Sequence, residues 1–186
     1  MALLPIYTYN HPVLRKKARL IRRPSDDLSE LAGNMLESMH RANGIGLAAN
    51  QIGSLQRIIV VDISGTDGVE KFDPLVMVNP EVVDNEGQWA IEEGCLSIPE
   101  LRHEVERPER VHLRFRDLSY DQREIEAYGL LGRVILHEID HLNGVLFIDH
   151  INAMKRKLLK GRLNKIDRGE VDVNYELVSN QLTVAT

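Results

Sequence analysis

Residues 129–142 read GLLGRVILHEIDHL, and the reading of this stretch organises the rest of the chain. Leu130, Leu131, Val134, Ile135, Ile139 and Leu142 recur at helical spacing, in a stripe too broad for a surface helix. The spacing predicts a mostly buried helix that stops at Asn143-Gly144. Within it, His137 and His141 stand at i and i+4, which brings two imidazoles onto one face with Cβ atoms about 6 Å apart. Two such rings can hold one ion. Glu138 is rotated by roughly 100° from His137, so it flanks that ion without ligating it and can take a proton from water there. The plain alternative is a solvated helix face carrying two histidines. In a buried helix, though, each of these three polar groups needs a partner, and a shared ion satisfies all of them.

Outward from this helix the period changes. Residues 57–63 (RIIVVDI) form a short β-branched run that reads as a strand, and 76–84 and 87–97 look extended. Residues 111–118 alternate in and out as a half-buried strand does, with 124–127 as a partner across a turn at 119–122. Earlier, 26–42 is predicted helical. Ser25, Asp26 and Asp27 are cap candidates, and Leu28, Leu31, Ala32, Met35, Leu36 and Met39 mark its buried stripe. A third helix is expected over 153–167, with Asn152 as cap and Gly169 as stop. The tail, 170–186, reads as a short strand or as disordered, and no role is assigned to it. The fold class is therefore α+β: mixed or antiparallel sheets packed around a central HExxH helix, with a C-terminal helix.

With 186 residues, of which 43% are hydrophobic, the chain suits a single domain, 1–186, with one sizeable core. Its net charge of −5 argues against a whole-surface nucleic-acid binder. A lone cysteine, Cys95, permits no intrachain disulfide. No secretory h-region opens the chain and no apolar run approaches the roughly 20 residues that span a bilayer, so a cytoplasmic protein without a membrane partner is expected.

A hydrolytic metal site wants a third protein ligand and an open position. Cys95, His103, His112, His150 and several carboxylates are candidates. Cys95 lies in EEGCLS (92–97), where Gly94 lets the backbone come close to another group; a small buried hydrophobe is the equal alternative. GIGLAANQ (44–51) has too little side-chain volume to fill a core. It makes either a tightly packed turn or a place where a substrate backbone approaches, and Gln51 ends it with a donor amide.

GIGLAANQ, EGCLS (93–97) and HEIDH (137–141), in this order, together with His11-Pro12-Val13-Leu14, Asn79-Pro80 and Gly144-Val145-Leu146-Phe147, resemble the peptide deformylase family. The likeness extends over about residues 5 to 168 and is far more specific than HExxH alone. It implies a mixed α+β fold with the HExxH helix central. It implies that Cys95, His137 and His141 ligate one divalent ion, commonly Fe2+ in the family, with Zn2+ or Ni2+ able to take the site. It implies removal of the N-formyl group from the first methionine of new polypeptides, with water activated at the metal and Glu138 as general acid/base. Gln51 and the Leu96 backbone N–H would donate to the formyl oxygen. The nascent peptide would lie extended past Gly46, Glu93 and Gly94, with Arg102 on its backbone. Ile45, Ile91, Leu130 and Val134 are the candidates for the methionine pocket. Glu93 reads equally as a buried structural carboxylate, and Arg133 as a group behind His137 or at the pocket rim. Gly132 departs from the alanine common in the family, at a helix-interior cost of about 1 kcal/mol.

Two further expectations stand beside this one. A zinc peptidase would also use HExxH, but the cysteine between EG and LS speaks against it. A structural metal module would need a fourth protein ligand. Finally, Lys155, Arg156, Lys157, Lys160, Arg162, Lys165 and Arg168 face one acid, Asp167, in 153–168 of an otherwise acidic chain. A solvated basic helix explains such a run, and docking on ribosomal RNA is its functional reading.

Overall fold

The computed structural model describes residues 2–180, apart from 67 and 70. The chain enters through a short strand, Ile6–Tyr7 (β1), and a 3-10 turn at Pro12–Arg15 before its first helix, Asp26–Arg41 (α1). A brief strand, Gly46–Ala48 (β2), runs into a second 3-10 turn, Ala49–Ile52, and then Ile58–Val61 (β3). Four longer strands follow: Leu75–Glu86 (β4), Trp89–Cys95 (β5), Ile98–Arg107 (β6) and Arg110–Arg116 (β7). Gln122–Tyr128 (β8) leads directly into Gly129–Leu142 (α2). After a 3-10 turn at Phe147–Asp149 come Ala153–Leu158 (α3), Lys160–Asp167 (α4) and a last strand, Leu177–Val178 (β9).

Five strands form one antiparallel sheet in the order β2-β3-β4-β7-β8. β3 shows why it has a helix on each side. All four of its residues are buried, and alternate side chains point to opposite faces. Ile58 and Val60 pack with Leu28, Ala32, Met35 and Met39 of α1. Ile59 and Val61 pack with Val134, Ile135, Ile139 and Leu142 of α2. The HExxH helix is thus embedded against the sheet, as its broad stripe requires. Gly132 allows that closeness, since a Cβ there would lie 3.0 Å from the Ala127 carbonyl oxygen on β8.

A third apolar cluster joins the separate β5-β6 hairpin to the chain's last helices through Ile98, Leu101, Val105, Phe147, Leu163 and Ile166. The hairpin's second strand was not among the expected elements. Its inward positions on alternate residues are Leu101, His103, Val105 and Arg107, so polar side chains interrupt the apolar alternation. The expected single helix over 153–167 is two. Leu159 bonds back to Arg156 O at 3.1 Å, a tightened turn between α3, which buries nothing, and α4, which docks through Leu163 and Ile166. Ser25 does occupy the N-cap of α1 but makes no side-chain cap bond, whereas Asn152 caps α3 by accepting from Lys155 N at 2.9 Å. In the tail, β9 pairs in parallel with β1 (Ile6 with Leu177, Tyr7 with Val178); residues 181–186 of the 170–186 tail lie outside the described ones. Among the described residues, no helix is long and apolar enough to cross a membrane.

Candidate active site

The C-terminal end of β5 meets the buried face of α2, and their side chains converge. Donor atoms of Cys95, His137 and His141 all lie within 4.8 Å of one another. Cys95 Sγ is 3.2 Å from His141 Nε2, and the two imidazoles stand edge to face at 5.0 Å between centroids. The thiol is aimed by a local irregularity. The β5-β6 register shifts between Gly94 and Cys95, and such a shift re-aims the side chain that follows it. Of the other histidines weighed as ligands, His112 pairs with Glu124, His103 bonds a neighbouring carbonyl, and His150 pairs with Asp140. Among the described residues the metal-competent group therefore holds three side chains, fewer than the four of a closed structural site.

Behind the three donors lies a layer of buried charge. Glu93 accepts from His137 Nδ1 at 3.0 Å, which directs the other ring nitrogen toward the cluster. The same carboxylate accepts from Arg107 at 2.6 and 3.1 Å and from Arg133 at 2.8 Å. Arg133 also donates to the carbonyls of Val105 and Trp89, so it stands behind His137 and borders the cleft as well. Arg107 continues to Asp140 at 2.7 Å, and Asp140 accepts from His150 at 2.7 Å. Burial alone would raise the Glu93 pKa, but hydrogen bonds from His137 and Arg107 hold it far below the usual carboxylate range. Burial would likewise lower His137, yet hydrogen bonds with Cys95 and Glu93 raise it well above normal, the mark of a spot that favours positive charge. Burial, then the charges of His137 and Arg107, push His141 well down, so it is a neutral imidazole with a lone pair to offer. A soft sulfur, two imidazoles and a local preference for positive charge fit a transition-metal ion.

Glu138 sits beside this cluster, 4% exposed, and burial lifts its pKa to about 7. Its Oε2 has no hydrogen-bond partner among the described residues. The small residues of GIGLAANQ are explained here. A Cβ on Gly46 would lie 2.6 Å from Glu138 Oε1, and one on Gly44 would lie 2.7 Å from Leu96 Cδ1. Gln51, at the end of the same segment, accepts from Ala48 N at 2.8 Å. Its amide nitrogen faces Ser97 Oγ at 3.2 Å and Cys95 Sγ at 3.6 Å.

A cleft of about 510 Å³ opens over these groups. Ile45, Gly46, Ile91 and Gly94 line it, as do Arg102, Leu130, Val134 and Leu96. Glu93 borders it too, although both of its carboxylate oxygens are engaged with His137 and the two arginines. Sequence reasoning missed Arg107, an inward charge inside an unrecognised strand, and it missed the tail. Val173 and Tyr175 form part of the cleft wall, a part for the tail that the sequence reading had left unassigned. The Tyr175 hydroxyl donates to Leu96 O at 2.9 Å, and burial raises its pKa. An isolated aromatic in a polar tail was the one available signal.

The chain has clear relatives. A family model described as polypeptide deformylase matches residues 3–157, ending before the tail that walls the cleft. A peptide deformylase of Salinibacter ruber is 44% identical over 185 residues, which is 95% of each chain. One of Thermodesulfovibrio yellowstonii is 48% identical over 160 residues, 86% of this chain and 96% of the other. The crystal structure of a peptide deformylase from Legionella pneumophila matches with a TM-score of 0.83 at 37% identity, covering 91% of this chain and 98% of that one.

Proposed function

The chain belongs to the polypeptide deformylase family, metal-dependent hydrolases that remove the N-formyl group from new polypeptides, and from that premise we propose how its own residues perform the reaction. Cys95, His137 and His141 would hold the ion. The thiolate and imidazole set suits Fe2+ or Zn2+ far better than Mg2+ or Ca2+; Fe2+ is the proposed native ion, and Zn2+ or Ni2+ would fit the same ligands. When bound, the ion supplies a Lewis acid that makes water nucleophilic near neutral pH.

Glu138 takes the proton from the attacking water at its unpaired Oε2 and returns it to the leaving amine. A pKa of about 7 suits both transfers. As the formyl carbon is attacked, charge grows on the formyl oxygen. The Gln51 side-chain amide and the Leu96 N–H are its donors, and one such donor is worth about 2.7–4 kcal/mol. Formate and a free amino terminus result. The peptide lies extended past Gly46 and Gly94, adding to the β5 edge through main-chain bonds that ignore sequence. Glu93 meets it through its main chain, because its carboxylate orients His137. Ile45, Ile91, Leu130 and Val134 receive the methionine side chain, and Arg102 contacts the peptide backbone.

The observation that carries this reading is the convergence of three metal-competent donors with a buried carboxylate, one oxygen of which is unpartnered, where Cys95, His137 and Glu138 line one cleft. The test is anaerobic turnover of a formyl-Met tripeptide, with metal content assayed on the same sample. Wild type should release formate, and Glu138→Ala should keep its metal while losing about 10²- to 10⁴-fold in rate. Metal-loaded wild type that releases no formate refutes the assignment. We further propose that residues 1–186 act as one catalytic domain in the cytoplasm. Exposed basic side chains of α3 and α4 support docking on ribosomal RNA close to the emerging substrate.

A further inference from the structure

Three contacts from distant parts of the chain hold the turn between β5 and β6. Tyr9 N donates to Ser97 O at 2.8 Å, Gln51 Nε2 donates to Ser97 Oγ at 3.2 Å, and the Tyr175 hydroxyl donates to Leu96 O at 2.9 Å. The first two act on Ser97. Tyr175 alone among them acts on Leu96, the residue whose N–H is proposed to meet the formyl oxygen. It comes from the tail, outside the part of the chain that the family model covers.

The anchorage of Tyr175 is two-sided. On its C-terminal side, β9 is fixed to the N-terminal segment: Ile6 N donates to Glu176 O at 2.9 Å and Thr8 N to Val178 O at 3.0 Å. On its N-terminal side, Asp172 N donates to Glu100 Oε1 at 3.2 Å. Between these ties Val173 and Tyr175 form part of the cleft wall. The tail is thus a strap held at both ends, with a phenol hydroxyl on the backbone of the site.

We propose that Tyr175 is a positioning residue for the hydrolysis: by holding the Leu96 carbonyl, its hydroxyl fixes the orientation of the Leu96 N–H toward the reacting oxygen. This rests on the deformylase reading above. The geometric reason is that the N–H and C=O of Leu96 flank one Cα. Cys95 is held on one side by its pairing with Ile98, and Ser97 on the other by Tyr9 and Gln51. The remaining freedom is the rotation of Leu96 itself, and the Tyr175 bond removes it. A donor held before the reaction begins needs no reorganisation as charge develops, so its effect falls on the transition state rather than on binding.

The experiment compares wild type, Tyr175→Phe and Thr8→Val, each metal-loaded, for kcat and KM on a formyl-Met tripeptide and for thermal midpoint. Tyr175→Phe deletes one oxygen and keeps the ring in the cleft wall. It should lower kcat about five-fold with KM unchanged, the scale of one neutral hydrogen bond. Thr8→Val removes the Thr8 Oγ1 bond to Val178 O at 3.3 Å, away from the cleft, while the backbone bonds that anchor the strap remain. It should lower the midpoint and leave kcat unchanged. The proposal is overturned if Tyr175→Phe keeps its kcat, if its defect lies in KM alone, or if Thr8→Val reproduces the kcat loss. A Tyr175→Phe protein that does not fold also overturns it, since the hydroxyl then serves the fold. Wild type that releases no formate fails the parent reading itself, an outcome visible before any variant is compared.

Discussion

Replacing Glu93 with glutamine removes the negative charge that two buried arginines and His137 share. Glu93 and Arg107 are each about 5% exposed and Arg133 3%, so water cannot substitute. Arg107 would keep Asp140 at 2.7 Å, but Arg133 would be left with the carbonyls of Val105 and Trp89. The new amide group would also confront donors, because His137 and both guanidiniums already point N–H groups at this position. Breaking a buried pair on one side costs about 3–5 kcal/mol. With a urea slope of about 2 kcal/mol/M, the unfolding midpoint should fall by about 2 M. His137 would at the same time lose the acceptor that orients it, which lowers metal affinity about 10- to 100-fold. Urea unfolding of metal-free protein reads the first effect, and competition with a chelator reads the second. A midpoint within about 0.5 M of wild type, with metal affinity unchanged, would refute the view that this carboxylate holds the site together.

Gly46→Ala should lower kcat about 10²-fold, since its Cβ would lie 2.6 Å from both Glu138 Oε1 and Val134 Cγ1 and must displace the acid/base. A variant with wild-type kcat would show that the contact relaxes harmlessly. Burial opposes ionisation of Asp149, but hydrogen bonds from Arg15 and Leu146 N still hold its pKa below the usual value. Its contribution is therefore complete above about pH 4 and disappears as pH falls through the lowered folded value. Asp149→Asn should cost about 1 kcal/mol at neutral pH, because both partners are partly exposed, and the gap to wild type should close in acid; a pH-independent gap contradicts this. Reversing Lys155, Lys157 and Lys160 should weaken salt-sensitive co-sedimentation with ribosomes, and unchanged co-sedimentation sinks the docking idea.

Much of this architecture was legible because burial and periodicity agreed. α2 occupies Gly129–Leu142, where its apolar stripe predicts it, and β7 and β8 pair across the expected turn. Two of the three donors in the metal-competent group, His137 and His141, were readable from motif spacing, whereas only the resemblance singled out Cys95 from the other candidate ligands. The hidden parts share a cause. β6 turns His103 and Arg107 inward, and an inward arginine erases the alternation that reveals a strand. Arg107 could be recognised as part of the site only once Glu93 and Asp140 were seen on either side of it. Tyr175 acts on a residue 79 positions away, a relation no local pattern encodes.

The pairing of β1 with β9 also bears on the order in which this protein takes shape. Thr8 and Val178, hydrogen-bonded to one another, are 170 positions apart. A contact closing so long a loop rewards the chain only after its later partner has been made. During synthesis the sheet, the HExxH helix and the three donors can assemble while this pair is still missing. The wall carrying Val173 and Tyr175 must come afterwards, when β9 reaches β1. On this order folding ends at the cleft, and β9, the last strand among the described residues, brings the β5-β6 turn a final tether.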